Sequence, residues 1–262
     1  MAEASRGRMA APIRLAAIWR HPIKAHGVEP LGSVTLAAGC TMPWDRVWAI
    51  ADANARVTPG TRDWAPCANF SRGAKSPRLM AIRARVDEAR GRVRLSHPDA
   101  PPLDVDPDDP EDARALVAWA AALADPGRPA PAFVVRAATG MTDSAYPTLS
   151  LLNRSSLAAL GERLGKPLAE ERFRGNLWLD GLGPFEELDL VGRDLRLGTA
   201  TLHVTERIGR CKATTVDPAT GIADADTLGA LRAGWGHQHF GVYVRVKTGG
   251  RIVLGDTATL LP

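Results

Sequence analysis

The spacing of apolar residues along the chain switches repeatedly between short alternating runs and polar, Gly- and Pro-rich gaps, which predicts many short strands and few helices. Residues 13–19 read as a strand that must stop at His21-Pro22-Ile23-Lys24, because Pro22 disfavours helix and forces an extended or turn conformation. Lys24 is thereby placed at a strand-to-loop junction. Further strands are predicted at 33–36, 47–51, 79–86 and 92–96, the last two joined through Arg90-Gly91 as a hairpin. Residues 53–77 have no period and much Gly, Pro, Asn and Arg, an irregular loop of a length that usually binds or gates something. Within it Trp64 and Phe70 are candidates for an apolar wall over a pocket, and Arg62 and Arg72 for selecting polar or anionic substrates.

The Pro- and Asp-rich stretch 98–112 reads as a surface linker to a helix over 110–123. An apolar run at 146–152 then leads through Asn153 into an amphipathic helix over 156–164, and a strand entering a polar helix start offers backbone N–H groups to an anion. Strands follow at 176–179, 188–191, 194–197, 201–206, 241–247 and 251–254, the last two across Gly249-Gly250. The fold class expected is mainly β with helical insertions (α+β), built as antiparallel β-barrels. The divisions expected are a β domain over 1–100, a linker and helix over 101–141, and a second β domain over 142–262.

A chain of 262 residues can bury a substantial core as one elaborate domain or two interlocked ones. No run approaches the roughly 20 apolar residues needed to cross a bilayer, so no membrane span is expected. Arg14 interrupts the apolar stretch that follows the first 11 residues, which is unlike a secretory leader and points to a cytoplasmic protein. The net charge of +4 is carried almost wholly by arginine, whose planar forks grip phosphate and carboxylate, so an anionic ligand is expected. Nucleic acid is not, because no basic run carries interleaved aromatics.

Three cysteines, Cys40, Cys67 and Cys211, are widely spaced and form no Cys-x-x-Cys pair, which excludes a disulfide framework, a zinc site or an iron–sulfur cluster. Cys211 stands out. Arg207, Arg210 and Lys212 flank it, and neighbouring cations favour the thiolate form that ligates metals or attacks electrophiles. Cys40 and Cys67 have no comparable surroundings and are expected to matter much less.

The string Arg207-Ile208-Gly209-Arg210-Cys211-Lys212-Ala213-Thr214-Thr215-Val216-Asp217-Pro218, with Arg172-Phe173-Arg174-Gly175-Asn176-Leu177 upstream, resembles the MOSC domain. The segment with Trp19-Arg20-His21-Pro22-Ile23-Lys24 and Asp45-Arg46-Val47-Trp48 resembles the β-barrel domain that precedes MOSC in the amidoxime-reducing-component branch of that family and its bacterial relatives. The resemblance implies a molybdenum cofactor, Mo-molybdopterin, whose metal takes one protein thiolate; Cys211 matches that ligand. It also implies that Lys24, Arg46, Arg174 and Asn176 bind the cofactor, with Arg210 beside the thiol and with Asn153 and Ser156 as further candidates. The sequence departs from the family at Ala25, at Gly175, and at His239-Phe240 within Gly236-His237-Gln238-His239-Phe240-Gly241. Asp217 could supply or orient a proton, yet Asp-Pro-x-Thr-Gly is also an ordinary turn.

The activity implied is reduction of N-oxygenated, N-hydroxylated small molecules by a molybdenum-cofactor oxidoreductase. Electrons would then arrive from a separate redox protein, since the cysteines cannot hold a cluster. The alternative is a carrier or binding protein for the cofactor or for persulfide sulfur on Cys211.

Overall fold

The structure, a computed structural model, describes residues 12–262. The expectation that the first 11 residues hold no leader lies outside the described residues. The strands are β1 Arg14–Arg20, β2 Glu29–Leu31, β3 Ser33–Leu36, β4 Trp48–Asp52, β5 Arg83–Asp87, β6 Arg92–His97, β7 Ala100–Val105 and β8 Pro131–Arg136 in the first half. The second half holds β9 Leu149–Asn153, β10 Leu177–Asp180, β11 Asp194–Leu197, β12 Ala200–Gly209, β13 His239–Thr248, β14 Gly250–Val253 and β15 Ala258–Leu260. The helices are α1 Pro110–Leu123, α2 Arg154–Leu164 and α3 Thr227–Trp235. The chain is mainly β with helical insertions, as its patterning predicts.

Eight strands form one sheet in the order β15-β11-β12-β13-β9-β10-β1-β2. Two features depart from an antiparallel barrel. The pair β9–β10 is parallel, and the ladder has two ends instead of closing. The reason lies in β1, whose outer edge is divided: its last residues pair with β2, while its start bridges Arg14 to Thr257 and exchanges backbone hydrogen bonds with residues 255–258. A register shift between Leu15 and Ala17 lets Ala17 and Ile18 both be buried. In β9 every residue of Leu-Ser-Leu-Leu-Asn is buried, the mark of a strand covered on both faces.

The strands β5, β6 and β7 make a meander, β4 pairs with β8, and β3 pairs with β14. Since β1 and β3 both pair with strands of the second half, the two halves are interlocked at the level of the backbone. The stretch expected as a linker over 98–112 instead contributes β7, because Leu103 and Val105 supply an inward face that its prolines obscure. Residues 79–82, expected to begin a strand, lie in and just after a 3-10 turn, Pro77–Ala81, that Pro77 starts. Residues 188–191 likewise follow from a 3-10 turn at Glu186–Leu190 and form no strand. Helix α1 begins where the sequence places it: Asp109 accepts hydrogen bonds from the N–H groups of Glu111 and Asp112, and Pro110 fills the first turn. No helix among the described residues is long and apolar enough to cross a membrane.

The main core lies against the large sheet, and within it Phe240 stacks on Phe173 at 4.0 Å between centroids and meets Trp178 and Phe185 at 6.1 and 6.0 Å. Phe240 is fully buried, so its truncation leaves a cavity as well as losing transfer energy. Phe240→Ala should lower stability by about 3–5 kcal/mol. Urea unfolding followed by tryptophan fluorescence reads this directly; a loss under about 1 kcal/mol would show that the cluster collapses into the gap.

Candidate functional site

The site is assembled where the turn after β1 meets the segment before β4. The N–H of Lys24 donates to Trp48 O at 2.7 Å, and the N–H of Arg46 donates to His21 O at 2.6 Å, so the two segments run side by side. Ala25, Arg46 and Arg174 all take left-handed φ values, 63°, 54° and 46°, which residues with a Cβ adopt only when the surroundings impose them. Arg46 is fixed by Asp45 and by donating to the carbonyl of Arg174 at 2.8 Å. Asn176 holds the junction together. Its Nδ2 donates to Trp19 O and Asp45 Oδ1, and its Oδ1 accepts from the N–H and hydroxyl of Ser150. Gly175, a departure from the family string, has a local cause: a Cβ there would stand 2.3 Å from Leu152 Cδ1.

Cys211 approaches from the end of β12 and is exposed. It caps the 3-10 turn Lys212–Thr215, and its carbonyl accepts from the N–H and hydroxyl of Thr214. Arg210 is anchored by donating from Nε to Phe240 O and from Nη1 to Phe173 O, both at 2.8 Å, with its guanidinium 5.6 Å from the Phe173 ring centroid. Arg207 turns away to Leu188 O and Asp189, so of the flanking cations only Arg210 lines the cavity that Cys211 lines.

That cavity has a volume of about 320 Å³ and gathers Lys24, Arg46, Arg72, Arg172, Arg174 and Arg210 around Cys211. Three of these cations have carboxylate partners: Lys24 pairs with Asp143, Arg46 with Asp45, and Arg172 grips Asp224 with both arms at 2.7 and 2.9 Å. Arg72, Arg174 and Arg210 have none among the described residues. Each also keeps a buried nitrogen without an acceptor, Nε in Arg72 and Nη2 in Arg174 and Arg210. Burial, with Arg46 nearby, pushes the Arg174 guanidinium down to about 9, and burial pushes that of Arg210 down to about 10. An anion in the cavity would supply the countercharge that these guanidinium groups lack. Tyr243 lines the same cavity, and burial, helped by Asp143, pushes its hydroxyl up to about 12, so it keeps its proton at neutral pH.

The structure brings Lys24, Arg46, Arg174, Asn176, Arg210 and Cys211 to one cavity. Asn176 lines it with its amide engaged by protein groups on both sides, which makes it a residue that positions others. Asn153 and Ser156 are elsewhere. Asn153 caps α2 and donates to Gly183 O and Glu187, while the Ser156 hydroxyl donates to Glu187 and accepts from the N–H of Phe185. Both satisfy a fully buried carboxyl, whose pKa burial raises, and neither lines the cavity. The expectation of an anion cradle at α2 is therefore corrected, since Asn153 Oδ1 takes the N–H of Ser155 and Glu187 takes the side chains of Asn153 and Ser156. Asp217 takes the turn role: it accepts from the N–H of Ala219 at 3.0 Å and lies outside the cavity lining. His237 and His239 also lie outside it.

In the loop 53–77, Phe70 is core, Trp64 donates to Thr142 O, and Arg62 lines a different cavity; only Cys67, Arg72, Gly73 and Ala74 reach this one. Cys67, Tyr243, Asp143 and Arg172 also line the cavity and were not expected there. Tyr243 alone carried a signal, alternating with the core-facing Val242 and Val244 and so pointing to the opposite face of β13.

Residues 140–259 match the MOSC domain, and residues 12–130 match the MOSC N-terminal beta barrel domain. The chain belongs to the MOSC family. Molybdenum cofactor sulfurase of Drosophila grimshawi is 34% identical over 119 residues, 42% of this chain and 15% of that protein. Mitochondrial amidoxime reducing component 2 of Homo sapiens is 32% identical over 123 residues, 42% of this chain and 36% of that protein. Most of each relative's length thus lies outside the match. Among solved structures, the YUAD protein from Bacillus subtilis aligns over 95% of this MOSC chain and 96% of its own, at 10% identity and a TM-score of 0.45.

Two buried histidines stand behind the cations. His26 donates from Nδ1 to Lys24 O at 2.8 Å, and burial lowers its pKa to about 4; His21 is held well below its ordinary value by burial and by Arg174 and Arg46. The unfolded chain protonates histidine near 6.5, while the folded protein refuses the proton until about 4. Stability should therefore be constant above about pH 6.5, fall as pH drops from there to about 4, and level off for this group below that. Urea unfolding at pH 7.5, 6 and 5 tests this, with a shallower decline expected in His26→Gln. A slope equal to that of the wild type would clear His26 of the effect.

Proposed function

We propose that this MOSC protein holds the molybdenum cofactor in the cavity beside Cys211 and uses it to reduce N-oxygenated small molecules. The observation that supports this most is the meeting, in one cavity, of an exposed thiol with Arg174 and Arg210, two arginines that have no carboxylate partner among the described residues. A phosphate-bearing pterin dithiolene is a multiply charged anion with two sulfurs of its own, so it needs cations and a single further thiolate. The donor set fits. Among the described residues no cluster of three or more His, Cys, Asp or Glu side chains could hold a bare metal ion.

When bound, the cofactor would supply a metal able to exchange an oxygen atom and two electrons. Cys211 would give that metal a soft, donating sulfur. Arg46, Arg174 and Lys24, from the turns at the junction of the two halves, would take the cofactor's anionic end, and Arg210 would neutralise charge beside the thiolate. The Tyr243 hydroxyl, protonated at neutral pH and lining the same cavity, would donate a hydrogen bond to a substrate oxygen. Electrons would come from a separate redox protein. The likeness to a molybdenum cofactor sulfurase favours a second reading, a cofactor or persulfide-sulfur carrier using the same thiol.

With protein from a cofactor-proficient host, Cys211→Ser should remove most bound molybdenum and all dithionite-driven reduction of benzamidoxime while circular dichroism is unchanged. Full metal and full turnover in that variant would end the assignment, and a wild type that carries cofactor but never turns over would favour the carrier. Arg174→Ala, losing a charge-assisted hydrogen bond, should weaken cofactor retention by about 10- to 150-fold, read as pterin lost on gel filtration. Unchanged pterin with only a higher KM would move Arg174 from cofactor to substrate.

A further inference from the structure

Arg72 is held differently from the other arginines of the cavity. Arg174 and Arg210 donate to backbone carbonyls, whereas Arg72 donates from Nη1 to the sulfur of Cys67 at 3.0 Å, a weak acceptor. Its Nε is buried and has no acceptor, and no carboxylate pairs with it among the described residues. Its backbone is fixed, with the carbonyl accepting from the N–H groups of Lys75 and Ser76 at 3.0 Å. The neighbouring Gly73 lies against the turn that begins at Cys211: a Cβ built on Gly73 would stand 4.0 Å from that of Ala213, and 2.4 Å from Met80 Sδ. Arg72 therefore borders the thiol side of the cavity, and it comes from a loop, whereas Lys24, Arg46 and Arg174 come from the junction between the two halves.

We propose that Arg72, braced by Cys67, is the receptor for a carboxylate on the small molecule that enters the cavity, a reading that rests on the proposed function and narrows its substrates to acid-bearing N-oxygenated compounds. A carboxylate supplies the guanidinium arms with charged acceptors, which a thiol cannot do. Cys67 is a positioning residue: it aims the fork without touching the substrate.

The test is calorimetric titration of the protein, purified from a cofactor-proficient host, with 4-carboxybenzamidoxime and with benzamidoxime, alongside molybdenum and pterin assays. The wild type should bind the carboxylated compound at least about tenfold tighter, the size of one charge-assisted hydrogen bond. Arg72→Met should abolish that difference and leave both the affinity for benzamidoxime and the cofactor content unchanged. Arg72→Lys should restore part of the preference, and Cys67→Ala should weaken only the carboxylated compound. The proposal is overturned by a wild type without preference, by a preference that survives in Arg72→Met, or by an Arg72→Met protein that loses pterin, which would make Arg72 a cofactor contact. Because binding is read directly, a wild type that reduces neither compound would sink the reductase reading while the same titration still decides the carboxylate site.

Discussion

Repulsion among arginines drawn to one cavity is the constraint on which the surrounding structure depends. Arg46 and Arg174 lie close enough for each to disfavour charge on the other, and burial adds to the cost. The fold meets this with carboxylates for Lys24, Arg46 and Arg172 and with neutral acceptors for two of the others: the carbonyls of Phe173 and Phe240 take Arg210, and the carbonyl of Gly27 takes one arm of Arg174. Carbonyls orient a guanidinium without neutralising it, so the cavity keeps its positive character for an incoming anion. The left-handed backbone at Arg46 and Arg174 is the local counterpart, a strained conformation held by its neighbours at a site.

That arrangement needs both halves of the chain. Asp45 and Arg46 precede β4, Asn176 precedes β10, and the amide of Asn176 reaches Trp19 in β1, so one side chain ties three segments. Pairing of β1 with β10 and of β3 with β14 makes the junction rigid through backbone ladders. The cavity at such a seam is lined by cations from both halves, by the thiol and by part of the 53–77 loop. The loop contributes Cys67 and Arg72 there, joined to each other by a hydrogen bond from the guanidinium to the sulfur.

The family's cysteine string and the cation positions were legible because they are local: Cys211 follows a strand, and Lys24 follows a Pro-containing turn. Asn153 and Ser156 misled for the opposite reason. Their local pattern is a good helix start, but Glu187, more than 30 residues away, takes their side chains, and only packing could reveal that. Cys67 looked incidental in the sequence because nothing near it signals a site, and its relation to Arg72 and to Cys211 exists only once the loop is folded back.

The sequence by itself determined the mainly β character, the start of α1 and which cysteine is flanked by basic residues, since period, capping and flanking residues act over a few positions. Tertiary structure alone decided that the strand ladder ends at β2 and β15 without closing, that a buried carboxyl takes the side chains of Asn153 and Ser156 at the start of α2, and that three arginines remain without carboxylates. Charge compensation and strand closure depend on which distant groups come within a few ångströms of one another, and that is set by packing between segments that the order of residues does not place side by side.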